Sequence, residues 1–326
     1  MRLLATFLSL LLSAGAASTG EVRAIETPAP VQRIEVAGDA AFLKTVAGSV
    51  FRLKACPDRL ICLDPAAAMP ERAKPPAGGL PDGSTATATS GDIVRAWYTR
   101  PTGRYGHGVL GDATEAGGLK VETQSGEELE FVLPDTHVFE DLTPRIADID
   151  GDGTNEVVTI RSSLIRGAAV AVYGLRDGAL RQLDVAPEIG RSSRWLNIAG
   201  IAKYWGSDAP LIVWVETPHI RGTLRMARFR DGRLEVLPDE TRGFSNHVIG
   251  SRELGLSATG DLDGDNIEDL VLPTADRRGM VVLTARGSDI IPLPGAVAHR
   301  IVIVSDIVVS ATENGNLLAI VPEPDR

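Results

Sequence analysis

The stretch Arg145–Leu183 reads RIADIDGDGTNEVVTIRSSLIRGAAVAVYGLRDGALRQL, and its order of short apolar runs and turns occurs twice more along the chain. The second copy is Ala199–Val236, AGIAKYWGSDAPLIVWVETPHIRGTLRMARFRDGRLEV, and the third begins at Ser257, SATGDLDGDNIEDLVLPTADRRGMVVLTARGSDIIPL. Each copy contains four runs of strand length, separated by Gly, Asp and Asn. Four short strands in a repeat of roughly 45–60 residues are typical of one β-propeller blade.

The segments on either side of these copies fit the same pattern more weakly. Four-strand segments fit residues 31–63 and 92–135, and a shorter one fits residues 299–322. The sequence therefore predicts an all-β fold, a β-propeller of about six four-stranded blades, within a range of five to seven. We expect a strand from the N-terminus to complete the short last blade and hide its edge. A separate small β element at residues 31–63 is the alternative.

Two acidic segments lie at equivalent places in the first and third copies. They are DIDGDGTNE, residues 148–156, and DLDGDNIED, residues 261–269, and each has carboxylates at positions 1, 3, 5 and 9. Carboxylates crowded on one short loop repel one another unless a cation lies between them. An all-oxygen ligand set, including main-chain carbonyls, favours Ca²⁺ over zinc or copper. The predicted ligands are Asp148, Asp150, Asp152, the carbonyl of Thr154, Glu156, Asp261, Asp263, Asp265, the carbonyl of Ile267, and Asp269.

These loops have two alternative interpretations. An EF-hand requires a bidentate Glu at position 12 and flanking helices, but position 12 is Thr159 in one loop and Leu272 in the other, within strand-like runs. The second alternative is a pair of solvated Asp/Gly turns that bind no metal. Two such loops at equivalent places in a repeat favour the calcium interpretation.

The pattern D-x-D-G-D-G-x-x-E followed by an apolar run resembles the FG-GAP/VCBS repeat of integrin-α-like β-propellers. The resemblance is clearest over residues 145–294. It implies a secreted or cell-surface propeller that binds Ca²⁺, here two ions, in blade hairpins, commonly on the face away from the ligand. The FG and GAP parts of the integrin repeat are poorly matched, so integrin-like ligand recognition is not implied.

The middle copy departs from this pattern. Lys203, Trp205, Ser207 and Leu211 stand where the carboxylates would be, so this copy is predicted to bind no Ca²⁺. Lys203 supplies a fixed positive charge there instead. The adjacent rings of Tyr204 and Trp205 are candidates for stacking on a sugar ligand, although such residues more often pack within a blade.

The N-terminus carries the features of an export signal. Residues 1–17, MRLLATFLSLLLSAGAA, combine a basic residue, an apolar run and a small-residue cleavage pattern, which predicts a signal peptide. The sequence predicts three further parts. They are an N-terminal β segment or first blade at 18–63, a Pro/Ala/Gly-rich loop or linker at 64–91, and propeller blades at 92–326. No later apolar run is long enough to predict a membrane span. The protein is therefore expected in the periplasm or the medium.

The chain has two cysteines, Cys56 and Cys62, which in an exported protein predict a disulfide. Two free thiols or a metal-binding pair are the alternatives, although their spacing lacks the further ligands of a zinc site.

Charge and the remaining motifs narrow the function. A net charge of −10, from 43 acidic and 33 basic residues, argues against a nucleic-acid partner. Gly106–Gly111 formally matches a dinucleotide motif, but its surroundings predict a turn between strands. The sequence assigns no catalytic residue, although two of the acids Asp135, Glu140 and Asp141 could form a general acid/base pair. It favours a non-catalytic binding or scaffold module for protein or polysaccharide, with a glycoside hydrolase or polysaccharide lyase as the alternative.

Overall fold

The computed structural model describes residues 20–322, and in this range the chain is all-β apart from one 3-10 turn at Pro57–Arg59. This confirms the all-β part of the predicted fold class. The predicted signal peptide lies outside the described residues. The first strand, β1 (Gly20–Ile25), does not pair with the strand that follows it in sequence.

Sheet I is a four-stranded antiparallel meander. Its strands, in order of pairing, are β2 (Val31–Ala37), β3 (Ala40–Thr45), β4 (Val50–Cys56) and β5 (Leu60–Pro65).

Sheet II has nine strands and consists of two four-stranded parts joined by a short strand. The first part contains β6 (Ala86–Thr87), β7 (Ile93–Thr102), β8 (Glu115–Thr123) and β9 (Glu128–Val132). The joining strand β10 (His137–Phe139) pairs with β8 on one side and β12 on the other. The second part contains β11 (Arg145–Ala147), β12 (Glu156–Ser163), β13 (Gly167–Arg176) and β14 (Ala179–Val185).

Sheets III and IV repeat the four-strand meander. Sheet III contains β15 (Leu196–Ala202), β16 (Leu211–Glu216), β17 (Thr223–Arg230) and β18 (Arg233–Val236), with β19 (Thr241–Arg242) also pairing with β17. Sheet IV contains β20 (Ala258–Gly260), β21 (Asp269–Pro273), β22 (Gly279–Thr284) and β23 (Gly287–Pro292).

Sheet V joins the two ends of the described chain. It contains β24 (Val302–Val304), β25 (Ile307–Ala311) and β26 (Leu317–Pro322), and β1 pairs with β26 as its fourth strand. Gly20 lies opposite Pro322 and Ile25 opposite Leu317. The N-terminal strand therefore completes the last sheet and covers its edge, as the sequence predicted.

The hydrophobic core lies between neighbouring sheets rather than at one centre. One cluster of buried side chains joins sheets I and V, a second joins V and IV, a third joins IV and III, and a fourth joins III with both parts of II. Middle strands such as β13, β21 and β26 are buried along most or all of their length, whereas β9 alternates between exposed and half-buried residues. This pattern is expected of sheets that pack face to face with an outer strand partly in solvent.

Two local predictions can be compared with the structure. Cys56 and Cys62 form a disulfide with their Cα atoms 5.9 Å apart, which confirms the pairing. Residues 66–85 of the Pro/Ala/Gly-rich segment form no named strand, yet Leu80 is 1% exposed and its N–H donates to the carbonyl of Tyr98. Part of this segment is therefore packed against sheet II. In the described range no helix has the length and apolar character needed to cross a membrane.

Candidate calcium sites

Three loops occupy the same place in three sheets. Each joins the first and second strands of its four-strand unit and is closed by one cross-strand pair. The pairs are Ala147 with Glu156, Gly260 with Asp269, and Ala202 with Leu211. Position 9 of each loop therefore begins the second strand, and the residue there is an acid in the first and third copies and a leucine in the middle copy.

The first acidic loop is wound around the carboxylate at position 1. Asp148 accepts the N–H of Gly151 at 2.7 Å and the N–H of Gly153 at 3.0 Å, one on each carboxylate oxygen. Asp152 accepts both the N–H and the hydroxyl of Thr154, at 2.8 and 2.6 Å, and these bonds lower the pKa of Asp152. Gly151 has φ +80°, a left-handed conformation that favours glycine at this turn.

The second acidic loop has the same hydrogen bonds. Asp261 accepts the N–H of Gly264 at 2.7 Å and the N–H of Asn266 at 2.9 Å, and Gly264 has φ +79°. Asp265 accepts the N–H of Ile267 at 2.8 Å. The two loops therefore share one backbone path although they differ in sequence at five of their nine positions.

The acid at position 9 is buried in both loops and has one oxygen without a hydrogen-bond partner. Glu156 Oε2 accepts the N–H of Ile149 at 3.2 Å, and Asp269 Oδ2 accepts the N–H of Leu262 at 2.8 Å. Glu156 Oε1 and Asp269 Oδ1 are buried and unpaired, and both residues are 0% exposed. A buried carboxylate oxygen without a partner is costly unless a cation or a donor reaches it.

Burial and the neighbouring acids make these two carboxyls weak acids when no cation is bound. Burial, and after it the charges of the other loop carboxylates, raises the pKa of Glu156 to about 7 and the pKa of Asp269 to about 7. A divalent cation removes that penalty by compensating the charge. The donor set of hard oxygens fits Ca²⁺, and each loop has at least one buried oxygen without a hydrogen-bond partner: Glu156 Oε1 in the first, and Asp263 Oδ2 and Asp269 Oδ1 in the second.

The carboxylates that converge are not the same in the two loops. In the first, ligand oxygens of Asp148, Asp150 and Glu156 lie within 4.8 Å of one another. In the second, the converging oxygens belong to Asp261, Asp263 and Asp265. Asp152 and Asp269, which were also predicted as ligands, lie outside these groups. Thr154 and Ile267 occupy position 7, and their N–H groups are bonded to the position-5 carboxylates.

A guanidinium lies beside the second loop. Arg286, in the hairpin between β22 and β23, has Nη1 3.2 Å from Asp263 Oδ2 and Nη2 3.9 Å from Asp265 Oδ2. It compensates part of the negative charge of this loop, so a bound cation and Arg286 would compete for the same carboxylates.

The middle loop has no such acids, and its two aromatic rings are used in packing. Tyr204 is 0% exposed, and its hydroxyl lies 2.5 Å from the hydroxyl of Thr259. Trp205 is half-buried, and its Nε1 donates to the carbonyl of Leu283 at 3.2 Å. Trp205 is thus the ring of this pair that retains exposed surface. A shallow pocket of about 520 Å³ lies between this loop and the second acidic loop, with Lys203 on its wall.

Sequence reasoning gave little weight to one further group of residues. His107 Nδ1 lies 2.6 Å from Glu140 Oε1, and Glu140 is 0% exposed. These residues belong to different strand connections, so their spacing of 33 residues gave no signal. The only local signal in the sequence is that Gly106 and Gly108 flank His107, which indicates a turn at this position.

No family model matches the chain, and no curated protein matches it. Among solved structures, the Bacillus licheniformis rhamnogalacturonan lyase PL11 aligns at 15% identity and TM-score 0.44, over 84% of this chain and 55% of that one. The exotype rhamnogalacturonan lyase YesX aligns at 12% identity and TM-score 0.45, over 91% of this chain and 66% of that one. BamB from Moraxella catarrhalis aligns at 13% identity and TM-score 0.37, over 88% of this chain and 71% of that one. The present chain thus spans between half and two thirds of the length of the two lyases.

Proposed function

We propose that the chain is an exported, calcium-stabilised β-propeller that binds a protein or polysaccharide outside the cytoplasm. In this proposal the two parts of sheet II and sheets I, III, IV and V are six blades, and β1 closes the ring by completing the last one. The order in which the core clusters join neighbouring sheets supports this arrangement. The disulfide supports export, because disulfides persist in oxidising compartments.

One observation carries the calcium part of the proposal. The same position in two equivalent loops holds a fully buried acid with one unpaired oxygen, and the charges of the carboxylates at positions 1, 3 and 5 act on it. Two independent loops with this feature are difficult to explain as solvated turns. The resemblance to FG-GAP/VCBS repeats agrees with it.

Bound Ca²⁺ would stabilise the hairpins, since an ion that binds only the folded state raises its stability. Asp150→Ala and Asp263→Ala are expected to lower the melting temperature in Ca²⁺ and to change it little in EDTA. Lys203→Ala, in the loop without acids, is the matched control and is expected to leave the Ca²⁺ response unchanged. An equal loss in Ca²⁺ and in EDTA would exclude a metal role for that loop.

A second candidate function is a propeller-type enzyme that acts on polysaccharides. The observation that favours it is the buried pairing of Glu140 with the partly exposed His107. Paired groups of this type position a proton-transfer residue in many enzymes.

A further inference from the structure

A pair of buried carboxyls lies beside His107. The pairing of Phe139 with Ala116 between β10 and β8 places Glu115 opposite Glu140, and these acids are 1% and 0% exposed. Cross-strand neighbours in an antiparallel pair have Cβ atoms about 4.5–5.5 Å apart. Two carboxylates so close and so well buried do not both ionise, so one of them holds a proton.

The hydrogen bonds show which carboxyl is charged. Glu140 Oε1 is bonded to His107 Nδ1 at 2.6 Å, and Glu140 Oε2 accepts the hydroxyl of Ser162 at 2.5 Å. Burial raises the pKa of both carboxyls, and with the charge of Glu140 it raises that of Glu115 to about 9, whereas the hydrogen bonds to His107 and Ser162 oppose the rise at Glu140. We therefore assign the proton to Glu115 and the charge to Glu140. Because Glu140 then only accepts, His107 donates from Nδ1, and its Nε2 carries a free lone pair when the ring is neutral.

Trp195 connects this group to two more histidines. Its Nε1 donates to the carbonyl of Glu140 at 2.9 Å, and its ring is parallel to His219. His247 Nε2 donates to the carbonyl of Ser251 at 2.9 Å, so its Nδ1 accepts from His219 Nε2, also at 2.9 Å. His219 Nδ1 is therefore a second acceptor nitrogen.

Positive charge also lies near this group. Burial is the main cause of the lowered pKa of His219, and the charges of Arg277 and His107 lower it further, so each of these two residues lies within electrostatic reach of His219. Arg277 Nε donates to the carbonyl of Val297, which fixes the guanidinium.

The three side chains lie on loops at one end of the sheets. His107, His219 and Arg277 belong to the loops that follow β7, β16 and β21, each joining the second and third strands of its unit. Successive hairpins of an antiparallel meander alternate between the two ends of the strands. These loops therefore lie at the end opposite the acidic loops.

We propose that His107 is the general base of a site that cleaves an acidic glycan by β-elimination, with Glu140 as its positioning residue and Arg277 attracting the uronate carboxylate. This inference rests on the function proposed above, because it requires that the ligand is a polysaccharide. Hydrolysis is disfavoured because both carboxyls are buried and cannot flank a glycosidic bond, whereas the His107 side chain is 16% exposed.

The reaction step needs no co-reactant. His107 Nε2 takes the proton from C5 of the uronate, and the electrons of that C–H bond form the C4=C5 double bond. The C4–O glycosidic bond breaks, and the departing oxygen takes a proton from water. His107 then returns its proton to solvent.

The test uses the mature protein with polygalacturonate and other uronate polymers, and a neutral galactan as the control. Cleavage is followed by the ultraviolet absorbance of the new double bond, and binding is measured separately. His107→Gln is expected to lower turnover by about 100-fold or more without weakening binding. The matched control is His137→Gln. His137 Nε2 lies 3.3 Å from Glu188 Oε1, so this variant alters a second His–Glu pair. It is expected to change turnover less than about twofold.

Glu140→Gln distinguishes positioning from folding. Among the described residues, Tyr105, Glu140 and His219 are titratable groups with a contact or a charge interaction with His107, and Glu115 lies next to Glu140. Glu140→Gln keeps an acceptor for the N–H at His107 Nδ1 but removes the charge, so kcat is expected to fall about 10-fold or more while KM changes little. An unchanged kcat would contradict the positioning role, and the melting temperature reports on folding.

Three results would overturn the inference. The first is a wild-type protein that binds a uronate polymer but forms no double bond between about pH 6 and about pH 9. The second is full turnover by His107→Gln. The third is a protein that binds a neutral glycan or a protein ligand but no uronate polymer. That result would overturn the inference and leave the proposed binding function intact. The proposed function itself would fail if the protein bound neither a glycan nor a protein and did not respond to Ca²⁺.

Discussion

At the scale of single residues, the proposal of calcium binding depends most on the acids at position 9 of the two loops. Glu156 and Asp269 are buried at the start of a strand, where an ordinary turn would have an apolar residue, as the middle copy has Leu211. Burying an acid there is unfavourable by itself. The sequence pattern predicted their role as ligands, but only the structure shows that each keeps one oxygen unpaired.

Removing the charge at position 9 should abolish the response to Ca²⁺ at one loop. Glu156→Gln and Asp269→Asn are each expected to lose the stabilisation of one ion, about 2.7 kcal/mol at 100 times the dissociation constant. In EDTA they are expected to be no less stable than the wild type, because the repulsion within the loop is relieved. Thermal unfolding in both buffers measures this.

Leu211→Ala is the contrasting change at the same position of the middle loop. It removes buried apolar surface and is expected to cost about 2–5 kcal/mol equally in Ca²⁺ and in EDTA. The assignment of Ca²⁺ sites would be contradicted if the loss of stability in Leu211→Ala depended on Ca²⁺, or if the loss in Glu156→Gln were the same in Ca²⁺ and in EDTA.

The buried histidine pair predicts how stability depends on pH. Burial lowers the pKa of His219 to about 4 and the pKa of His247 to about 3. Both are neutral in the folded state, whereas the unfolded chain binds protons below about pH 6.5. Stability is therefore expected to fall from about pH 6.5 toward about pH 4, by about 1.4 kcal/mol per pH unit for each proton.

His247→Gln tests this prediction, because its amide keeps a donor near the position of Nε2. The variant is expected to be less stable at neutral pH but to have a flatter dependence between about pH 7 and about pH 5. Denaturant unfolding at several pH values measures the slope. An unchanged slope would show that the pair does not remain neutral in the folded protein.

At the scale of elements, the repeat was largely readable from the sequence, while contacts between elements were not. The alternation of apolar runs with Arg-Gly and Arg-Asp-Gly turns predicted the hairpins of sheets II, III and IV. Nothing local predicted that β10 would join the two parts of sheet II, since a strand of three residues carries no periodic signal. The contact of His107 with Glu140 was not predicted either, because the two residues are 33 positions apart and no local pattern links them.

The Arg-Gly turn of sheet III has a steric reason that can be tested. Gly222 has φ +57°, and a Cβ there would lie 1.7 Å from the carbonyl oxygen of Phe244. Gly222→Ala is therefore expected to cost about 3 kcal/mol or more, from the left-handed backbone and the overlap together.

Gly232 is the matched control in the same sheet. It has φ +74° with nothing within 4 Å of the added Cβ, so Gly232→Ala is expected to cost only about 1 kcal/mol. Urea unfolding of the two variants compares them, and equal costs would contradict the steric argument.

At the scale of the whole molecule, the pairing of β1 with β26 joins the two ends of the described chain in one sheet. Sheet I contacts sheet V through a shared hydrophobic cluster, but none of the clusters among residues 20–322 joins sheet I with sheet II. The segment that follows sheet I in the chain makes a polar contact back to it, since Arg72 Nη2 lies 2.8 Å from Glu35 Oε1. The sequence predicted that an N-terminal strand completes the last sheet, but not that sheets I and II would lack a shared hydrophobic cluster.

Deletion of residues 20–25 should open the edge of sheet V. The variant loses the partner of β26, so we expect a lower melting temperature and concentration-dependent association through the exposed edge. Melting and light scattering at several concentrations test this. An unchanged melting temperature and a monomeric variant would show that closure by β1 does not stabilise the fold.

The central claim is that two equivalent loops bind Ca²⁺ and the third does not, and calorimetric titration of residues 18–326 tests it most directly. The metal-free protein should bind about two Ca²⁺ per chain, with a matching rise in melting temperature that Mg²⁺ does not reproduce. Each position-9 variant should reduce the stoichiometry by one. No binding heat, together with no metal in the purified protein, would contradict the account and leave the loops as acidic turns.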